Sequence, residues 1–394
     1  MVRKKGIRGC ATAWLGTTGI LAAAIASFAY PALAASTEPL RIGMAVALTG
    51  FLAIPDRQFV AGVKLAVENA NKRGGADGHP IELHVIDDAS SAAVGVTVTN
   101  QLINQFAIGA MLNGLSSAQN AAILPIVTRA KIPMIITSQL PAGDRRWVFL
   151  VTSTSEQFAD IQLRFAHEYV KAKRVGVVFS QTPYGQIGAR LLVAGAARNG
   201  LAITASQGVE GSTTDMTPLL AGLKSAGCDA IIDVLTGSTH IVEAKSAALV
   251  GLHIPLVMAG DDLPTLRQAA SAYPDLYFIA EPPQAYPHIP DPKTKSAFER
   301  FLAVYKDAGG DPAVLATTTA FGWDAAEMLI AAVRASGAVS GEPLRAALEA
   351  LKFQGTSTFY AFTKEDHTGQ ADEPNRLQIG RVADSAVDVV FPSR

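Results

Sequence analysis

The sequence predicts an α/β protein with two doubly wound, Rossmann-like halves. Runs of apolar residues with the length of a strand alternate with helical patterns along almost the whole chain, which is typical of doubly wound layers. The strand runs are nearly continuous in apolar residues, as expected of parallel strands covered by helices on both faces. The length of 394 residues corresponds to two domains.

The first half predicts four strands separated by three helices. In the helix that follows the first strand, Phe59, Val63 and Ala66 form one apolar stripe, and Gly74-Gly75 ends it. The strands are predicted at 41–48, 81–87, 110–112 and 133–136, and the helices at 57–72, 92–105 and 117–129.

The same alternation starts again after residue 154, and the chain ends in a helix-rich part. Helices are predicted at 155–171, 185–199, 216–226 and 239–250, and strands at 174–179, 203–209, 230–235, 256–259 and 276–280. Three prolines in 281–287 indicate a crossing between domains. Beyond it, helices are predicted at 293–308, 316–335 and 342–351, and strands at 357–362, 377–382 and 387–391.

The N-terminus has the layout of a cleavable secretory signal peptide, predicted over residues 1–34. Four basic residues precede a long uncharged segment, and Ala32-Leu33-Ala34 offers small residues for the peptidase. The alternative is an N-terminal membrane anchor, because about 20 uncharged residues could span a bilayer. Cleavage would leave one cysteine, Cys228, which cannot form an internal disulfide and is predicted to be a buried, inert thiol. Export without disulfides favours a bacterial periplasm.

The net charge argues against nucleic acid as a partner, and the motifs that are missing argue against several kinds of enzyme. The net charge is −1, and becomes −5 without the leader, so no basic field favours nucleic acid. The sequence contains no His-Glu-x-x-His, no Gly-x-Ser-x-Gly, no Walker loop and no Gly-x-Gly-x-x-Gly after a strand. We therefore expect no metal site, no cofactor and no enzymatic activity. The alternative is a secreted enzyme that uses Asp261 or Asp87-Asp88.

Several segments, in this order, resemble the type I periplasmic binding proteins of the leucine/isoleucine/valine-binding branch. They span essentially the whole chain after the leader. They are Leu48-Thr49-Gly50 at the end of the first strand, Asn71-Lys72-Arg73-Gly74-Gly75 at the end of the first helix, Asp87-Asp88-Ala89, Gly114-Leu115-Ser116-Ser117, Tyr184-Gly185, Ala259-Gly260-Asp261 and Phe321-Gly322-Trp323-Asp324-Ala325.

The resemblance implies a Venus-flytrap architecture, in which two lobes joined by three crossings close on a solute. The N-terminal lobe would comprise residues 36–153 and 286–357, and the C-terminal lobe 155–284 and 359–394. It also implies a monomeric substrate-binding protein that docks on the permease subunits of an ABC importer in the inner membrane. A sensing receptor that is not coupled to import is the alternative with the same fold.

The resemblance also implies the ligand site. It places Ser116 and Ser117, at a helix start, and Thr137 and Ser138 against a ligand carboxylate. Helix amides and hydroxyl groups suit such an anion. It places Tyr184 on the ligand from the second lobe, and Asp261 against a ligand ammonium. Thr236, at the end of the strand 230–235, is a further candidate.

The solute implied by the resemblance is an amino acid, possibly branched-chain. The sequence departs from the family at Leu140, where amino-acid binders carry Ser or Thr, and at 180–183, which lack the common aspartate. Ser90 and Leu115 stand where the branch often has a disulfide. An aromatic carboxylate, an amide or a urea-like solute therefore stays open as an alternative.

Overall fold

The structure is a computed structural model that describes residues 38–140, 144–369, 376–383 and 386–392. The predicted signal peptide lies outside the described residues. None of the helices in the described part is both long and apolar enough to cross a bilayer.

The first half of the described chain forms a five-stranded parallel sheet. Its strands are ordered β2-β1-β3-β4-β5. The helices α1 and α2, on opposite faces, bury Phe59 and Val63 on one side and Val98 and Leu102 on the other. The elements are β1 (Leu40–Val46), α1 (Ala53–Lys72), β2 (Ile81–Asp87), α2 (Ala92–Phe106), β3 (Ala110–Asn113), α3 (Ser117–Ala130), β4 (Met134–Ile136) and β5 (Val148–Leu150).

The second half forms a seven-stranded sheet that is parallel except at one edge. The elements are α4 (Ser155–Glu168), β6 (Arg174–Ser180), α5 (Pro183–Ala196), β7 (Ala202–Val209), α6 (Thr217–Ser225), β8 (Ala230–Val234), α7 (Ser238–Val250), β9 (Leu256–Met258), α8 (Leu263–Ala272), β10 (Leu276–Ala280), β13 (Gln378–Ala383) and β14 (Ala386–Phe391). The strand order is β14-β13-β10-β9-β8-β6-β7. Strand β13 runs antiparallel to both of its neighbours, β10 and β14. Cys228 is a buried free thiol in this core.

The segment between β10 and β13 returns to the first sheet. It comprises α9 (Pro282–Ala285), α10 (Pro292–Asp307), α11 (Thr317–Ser336), α12 (Gly341–Ala350), β11 (Lys352–Gln354) and β12 (Phe359–Ala361). The chain therefore passes between the two sheets three times: after β5, after β10 and after β12. The two-lobe α/β prediction is confirmed by this topology, and the residue boundaries of the lobes stay a prediction.

Helix α11 lies directly against α1 and belongs to the core of the first lobe. A Cβ atom on Gly62 would lie 1.9 Å from the carbonyl oxygen of Thr319, and one on Gly322 would lie 2.1 Å from that of Phe59. The absence of a side chain at both glycines lets the two backbones touch. The crossing fixes the position of the first turn of α11, which faces the cavity described next.

Candidate functional site

A cavity lies between the two sheets, at the carboxyl ends of their strands. It has a volume of about 70 Å³. Residues that closely follow six of the strands reach this cavity. This is the place where open α/β sheets bind their ligands. Its lining consists of Leu115, Thr137, Ser138, Gln139, Thr152, Ser153, Phe158, Tyr184, Thr236, Gly260, Asp261, Glu281, Gln284, Thr317, Thr318 and Phe321.

Five of the seven predicted site residues line this cavity: Thr137, Ser138, Tyr184, Thr236 and Asp261. The other two, Ser116 and Ser117, lie outside its lining. Ser116 caps α3, where its Oγ accepts a hydrogen bond of 3.3 Å from the backbone N–H of Gln119. The Oγ of Ser117 accepts one of 3.2 Å from the backbone N–H of Tyr184, which belongs to the other lobe. Their roles as carboxylate ligands stay a prediction.

The lobes touch at the mouth of the cavity. Tyr184 contacts Ser117, as described above. The ring of Phe51 also lies on Gly211, and a Cβ atom on this glycine would be 3.0 Å from the ring. A Cβ atom on Gly237 would lie 2.6 Å from the carbonyl oxygen of Phe51. Residues of the first lobe thus rest on residues of the second.

Ser138 is held by a chain of buried amides. Asn113 accepts from the backbone N–H of Ala45 at 3.1 Å and donates to the Oδ1 of Asn120 at 2.9 Å. Asn120 in turn donates to the Oγ of Ser138 at 2.9 Å. Because that oxygen accepts from Asn120, its own hydrogen is left to point to a solute.

The carboxylate of Asp261 is bonded inside the second lobe. Its Oδ2 accepts from the backbone N–H of Gly237 at 2.5 Å and lies 3.0 Å from the Nδ1 of His240, and its Oδ1 accepts from the backbone N–H of Asp262 at 2.7 Å. Its side chain is only 1% exposed, whereas the whole residue is 7% exposed. Asp261 therefore lines the cavity through its main chain.

His240 joins two carboxylates. Its ring is completely buried, and its Nε2 lies 3.3 Å from the Oδ1 of Asp233. Burial alone would lower the pKa of His240, but the charges of Asp233 and Asp261 raise it well above its usual value. Burial likewise opposes ionisation of Asp261, and the contact with His240 nevertheless lowers the pKa of that carboxyl. The pair is therefore an imidazolium and a carboxylate.

Glu243 lies beside Asp233 in the same cluster. Its two carboxyl oxygens and the Oδ2 of Asp233 are buried without another partner in the described structure. Burial and the neighbouring charge of Asp233 raise the pKa of Glu243 well above its usual value. A neutral Glu243 that donates to Asp233 satisfies both groups.

The second acidic residue of the cavity, Glu281, is paired at the crossings between the lobes. Both of its carboxyl oxygens accept from the Oγ of Ser153, at 2.8 Å, and one lies 3.4 Å from the Nη1 of Arg376. Both charged side chains are almost fully buried. Glu281 follows β10 as Thr137 follows β4, so the same strand-end pattern could have identified it.

Three buried hydroxyl groups of cavity residues have no hydrogen-bond partner within the described structure. They belong to Thr137, Thr317 and Thr318, which are 7%, 5% and 6% exposed. Thr317 and Thr318 form the first turn of α11, whose N-cap residue, Ala316, provides no side-chain cap. Neither threonine was predicted to be a site residue. Their only sequence signal is a run of three threonines at the start of a predicted helix.

The large apolar side chains of the lining are Leu115, Phe158 and Phe321, together with the ring of Tyr184. Burial and the nearby acidic residues raise the pKa of Tyr184, which stays a neutral phenol. No group of three His, Cys, Asp or Glu side chains among the described residues could hold a metal ion.

The chain is similar to known binding proteins over most of its length. The leucine-, isoleucine-, valine-, threonine- and alanine-binding protein of Pseudomonas aeruginosa is 26% identical over 73% of this chain and 77% of its own. A type 1 periplasmic binding protein of Bordetella pertussis has a TM-score of 0.80 at 24% identity, over 90% of this chain and 100% of that one.

Two solved neighbours contain different solutes. The substrate-binding protein of a branched-chain amino acid transporter from Streptococcus pneumoniae, in complex with isoleucine, has a TM-score of 0.75 at 22% identity, and covers 90% of this chain and 100% of its own. A solute-binding protein of an ABC transporter from R. palustris, in complex with benzoate, has a TM-score of 0.72 at 18% identity, over 89% and 95%. At these identities the likeness shows the fold alone.

The family model that matches this chain is described as a periplasmic binding protein, and it covers residues 39–385. The relatives and the fold neighbours are solute-binding proteins, so the prediction of a binding protein rather than an enzyme is confirmed. The order of motifs, the two-lobe fold and this match agree, and the chain belongs to the type I periplasmic binding proteins of the leucine/isoleucine/valine-binding kind.

Proposed function

We propose that this chain is the periplasmic solute-binding component of an ABC importer. The protein would be exported by its signal peptide, bind one small solute between its lobes, and deliver the closed form to permease subunits in the inner membrane as a monomer. The observation that carries the proposal is the small cavity between the sheets, with the lobes in contact at its mouth.

The solute is a small organic molecule of the amino-acid or carboxylate class. The names of the relatives support an amino acid, possibly branched-chain, and the benzoate complex of a fold neighbour supports an aromatic carboxylate. An amide or a urea-like solute is the remaining alternative. Thr137, Ser138, Tyr184, Thr236 and Asp261 are the proposed contacts inside the cavity, with Ser116 and Ser117 near its mouth.

Thermal unfolding of the protein purified from the periplasm tests the binding function. The panel contains amino acids, aliphatic and aromatic carboxylates, amides and ureas. A solute at 100 times its Kd should stabilise the fold by about 2.7 kcal/mol, and therefore raise Tm. A panel without any stabilising solute would contradict the proposal.

Uptake measurements separate import from sensing. If the protein feeds an importer, deletion of its gene abolishes uptake of the radiolabelled solute at micromolar concentration, and a plasmid copy restores it. Unchanged uptake, with an altered transcriptional response to the solute, would instead favour the sensing receptor.

A further inference from the structure

The two acidic residues of the cavity already have cationic partners. Asp261 accepts two backbone hydrogen bonds and is paired with His240, and Glu281 is paired with Ser153 and Arg376. A buried ammonium group needs acceptors for three N–H bonds, and an unpaired buried charge is costly. An ammonium at Asp261 would share that carboxylate with the imidazolium of His240, so that two buried cations would lie side by side.

The opposite wall of the cavity offers hydrogen-bond donors. The first turn of α11 points its backbone N–H groups and the positive end of its dipole toward this region. The hydroxyl groups of Thr317 and Thr318 lie in that turn, buried and without a partner among the described residues, and those of Thr137 and Ser138 come from the end of β4. No Lys, Arg or His side chain is part of the described lining. Donors of this kind, without a basic side chain, suit a single carboxylate.

The space between these walls is small and mainly apolar. Phe158, Phe321 and Leu115 surround about 70 Å³. A solute that fills it exposes apolar carbons to these side chains and places one polar group on α11.

We propose that the natural solute is a small monocarboxylate with an aliphatic or aromatic body and without an α-ammonium group. Its carboxylate is bound by the first turn of α11 together with Thr137 and Ser138. This inference rests on the proposed function of the cleft and narrows its ligand class.

Titration calorimetry with matched pairs of ligands tests the absence of an ammonium site. The pairs are leucine with 4-methylpentanoate and phenylalanine with 3-phenylpropanoate, and benzoate is added as a rigid aromatic acid. We expect the acids without the amino group to bind at least about tenfold more tightly than their amino-acid partners. Equal or tighter binding of the amino acids overturns the proposal.

A panel result also separates this inference from the proposed function. If no carboxylate binds at millimolar concentration but an amide or a urea does, the ligand class is wrong and the binding function stands. If nothing in the panel binds, both fail.

Threonine-to-valine variants test the carboxylate site with the tightest acid of the panel. Thr317→Val and Thr318→Val keep the shape of the side chain and remove an unpartnered hydroxyl group, so we expect an unchanged or higher Tm without ligand and about tenfold weaker binding. The matched control is Thr99→Val, which removes another buried hydroxyl group without a partner, in α2 and away from the cavity. Affinities of Thr317→Val and Thr318→Val equal to that of Thr99→Val would overturn the proposed site.

Discussion

At the scale of single residues, His240 is the cation that pairs with two buried carboxylates behind the cavity. It neutralises part of the charge of Asp233 and Asp261, both of which are buried. Loss of the imidazolium would leave these two carboxylates facing each other in a region of low dielectric. The pKa of His240 is raised above the unfolded value of 6.5, so its stabilisation is complete below that pH and is lost as the pH rises through the raised pKa.

We therefore expect His240→Leu to lower the free energy of unfolding by about 3–5 kcal/mol at pH 6, measured in urea. The control is His253→Leu, at an exposed position, which should change it by less than about 0.5 kcal/mol. Equal effects of the two substitutions would show that the buried ion pairs are not stabilising.

Asp262 makes stability depend on pH in the opposite sense from an ordinary surface carboxylate. It caps α8 by accepting from the backbone N–H of Thr265, and burial together with the charge of Asp261 raises the pKa of Asp262 from 3.8 to about 7. A raised carboxyl pKa means that the fold binds the proton more tightly than the unfolded chain. Stability then falls as the pH rises from about 4 to about 7.

The Asp262→Asn variant keeps a side chain that can cap the helix and removes the titration. The free energy of unfolding of the wild type should fall between pH 5 and pH 8. The fall should be about 1–3 kcal/mol smaller in this variant. Asp215→Asn is the control, because Asp215 is an exposed carboxylate whose pKa is lowered by its hydrogen bonds to Thr217. Parallel pH profiles for Asp262→Asn and the wild type would refute the assignment.

The sequence could identify site residues that directly follow a strand. Thr137, Thr236 and Asp261 were predicted in this way, with help from the family resemblance, and all three line the cavity. It could not identify the roles of Thr317 and His240. The contacts of His240 come from residues 7 and 21 positions away, and Thr317 reaches the cavity only because α11 returns to the first lobe.

At the scale of elements, the crossing of α1 and α11 positions one wall of the cavity. Gly62 and Gly322 allow backbone contact, and the first turn of α11 carries Thr317 and Thr318. A methyl group at Gly62 would have to push α11 away from α1, and with it the proposed carboxylate site.

Gly62→Ala is therefore expected to lower the free energy of unfolding by at least about 1–3 kcal/mol, despite the better helix propensity of alanine. It should also weaken solute binding. The matched control is Gly222→Ala in helix α6, where the new methyl group meets no atom within 4 Å and should stabilise the protein by up to about 1 kcal/mol. Both properties can be measured in one set of thermal melts with and without solute. A stabilising Gly62→Ala would contradict the tight crossing.

Strand β5 and helix α8 are among the elements that were not predicted, for different reasons. Strand β5 has three residues and follows the charged pair Arg145-Arg146, so no apolar run stands out. Helix α8 was missed because Pro264, in its first turn, resembles a break in the sequence, although proline is well tolerated there. The long helices carried a clear apolar period and the seven-residue strands a long apolar run, and both kinds of element were predicted.

At the scale of the whole molecule, the order of strands could not be derived from local patterns. Apolar runs identify β1 to β4, but the placement of β1 between β2 and β3 depends on how the connecting helices distribute over the two faces. The prolines in 281–287 indicated one passage between the sheets, whereas the total of three came from the family resemblance. They matter for function because they leave the lobes joined by narrow segments about which a hinge movement can occur.

The contacts at the mouth should be present only in the closed form, and this leads to a test of closure. Phe51 touches Gly211 and Gly237 of the other lobe. If the lobes separate without solute, the ring loses its contact with Gly211, and its packing energy contributes to the closed state alone. A contact that favours only the closed state shifts the equilibrium toward it and slows release of the solute.

Phe51→Ala should therefore raise Kd about tenfold, mainly through faster dissociation, with a similar association rate and a nearly unchanged Tm of the unliganded protein. Stopped-flow measurements give both rates. Small-angle scattering should show a smaller radius of gyration after solute addition in both proteins, with more solute needed by the variant. The control is Leu249→Ala, which removes a side chain that is 79% exposed on α7 and takes part in no contact at the mouth. An unchanged dissociation rate in Phe51→Ala would mean that the contact of Phe51 with the second lobe does not stabilise the closed form.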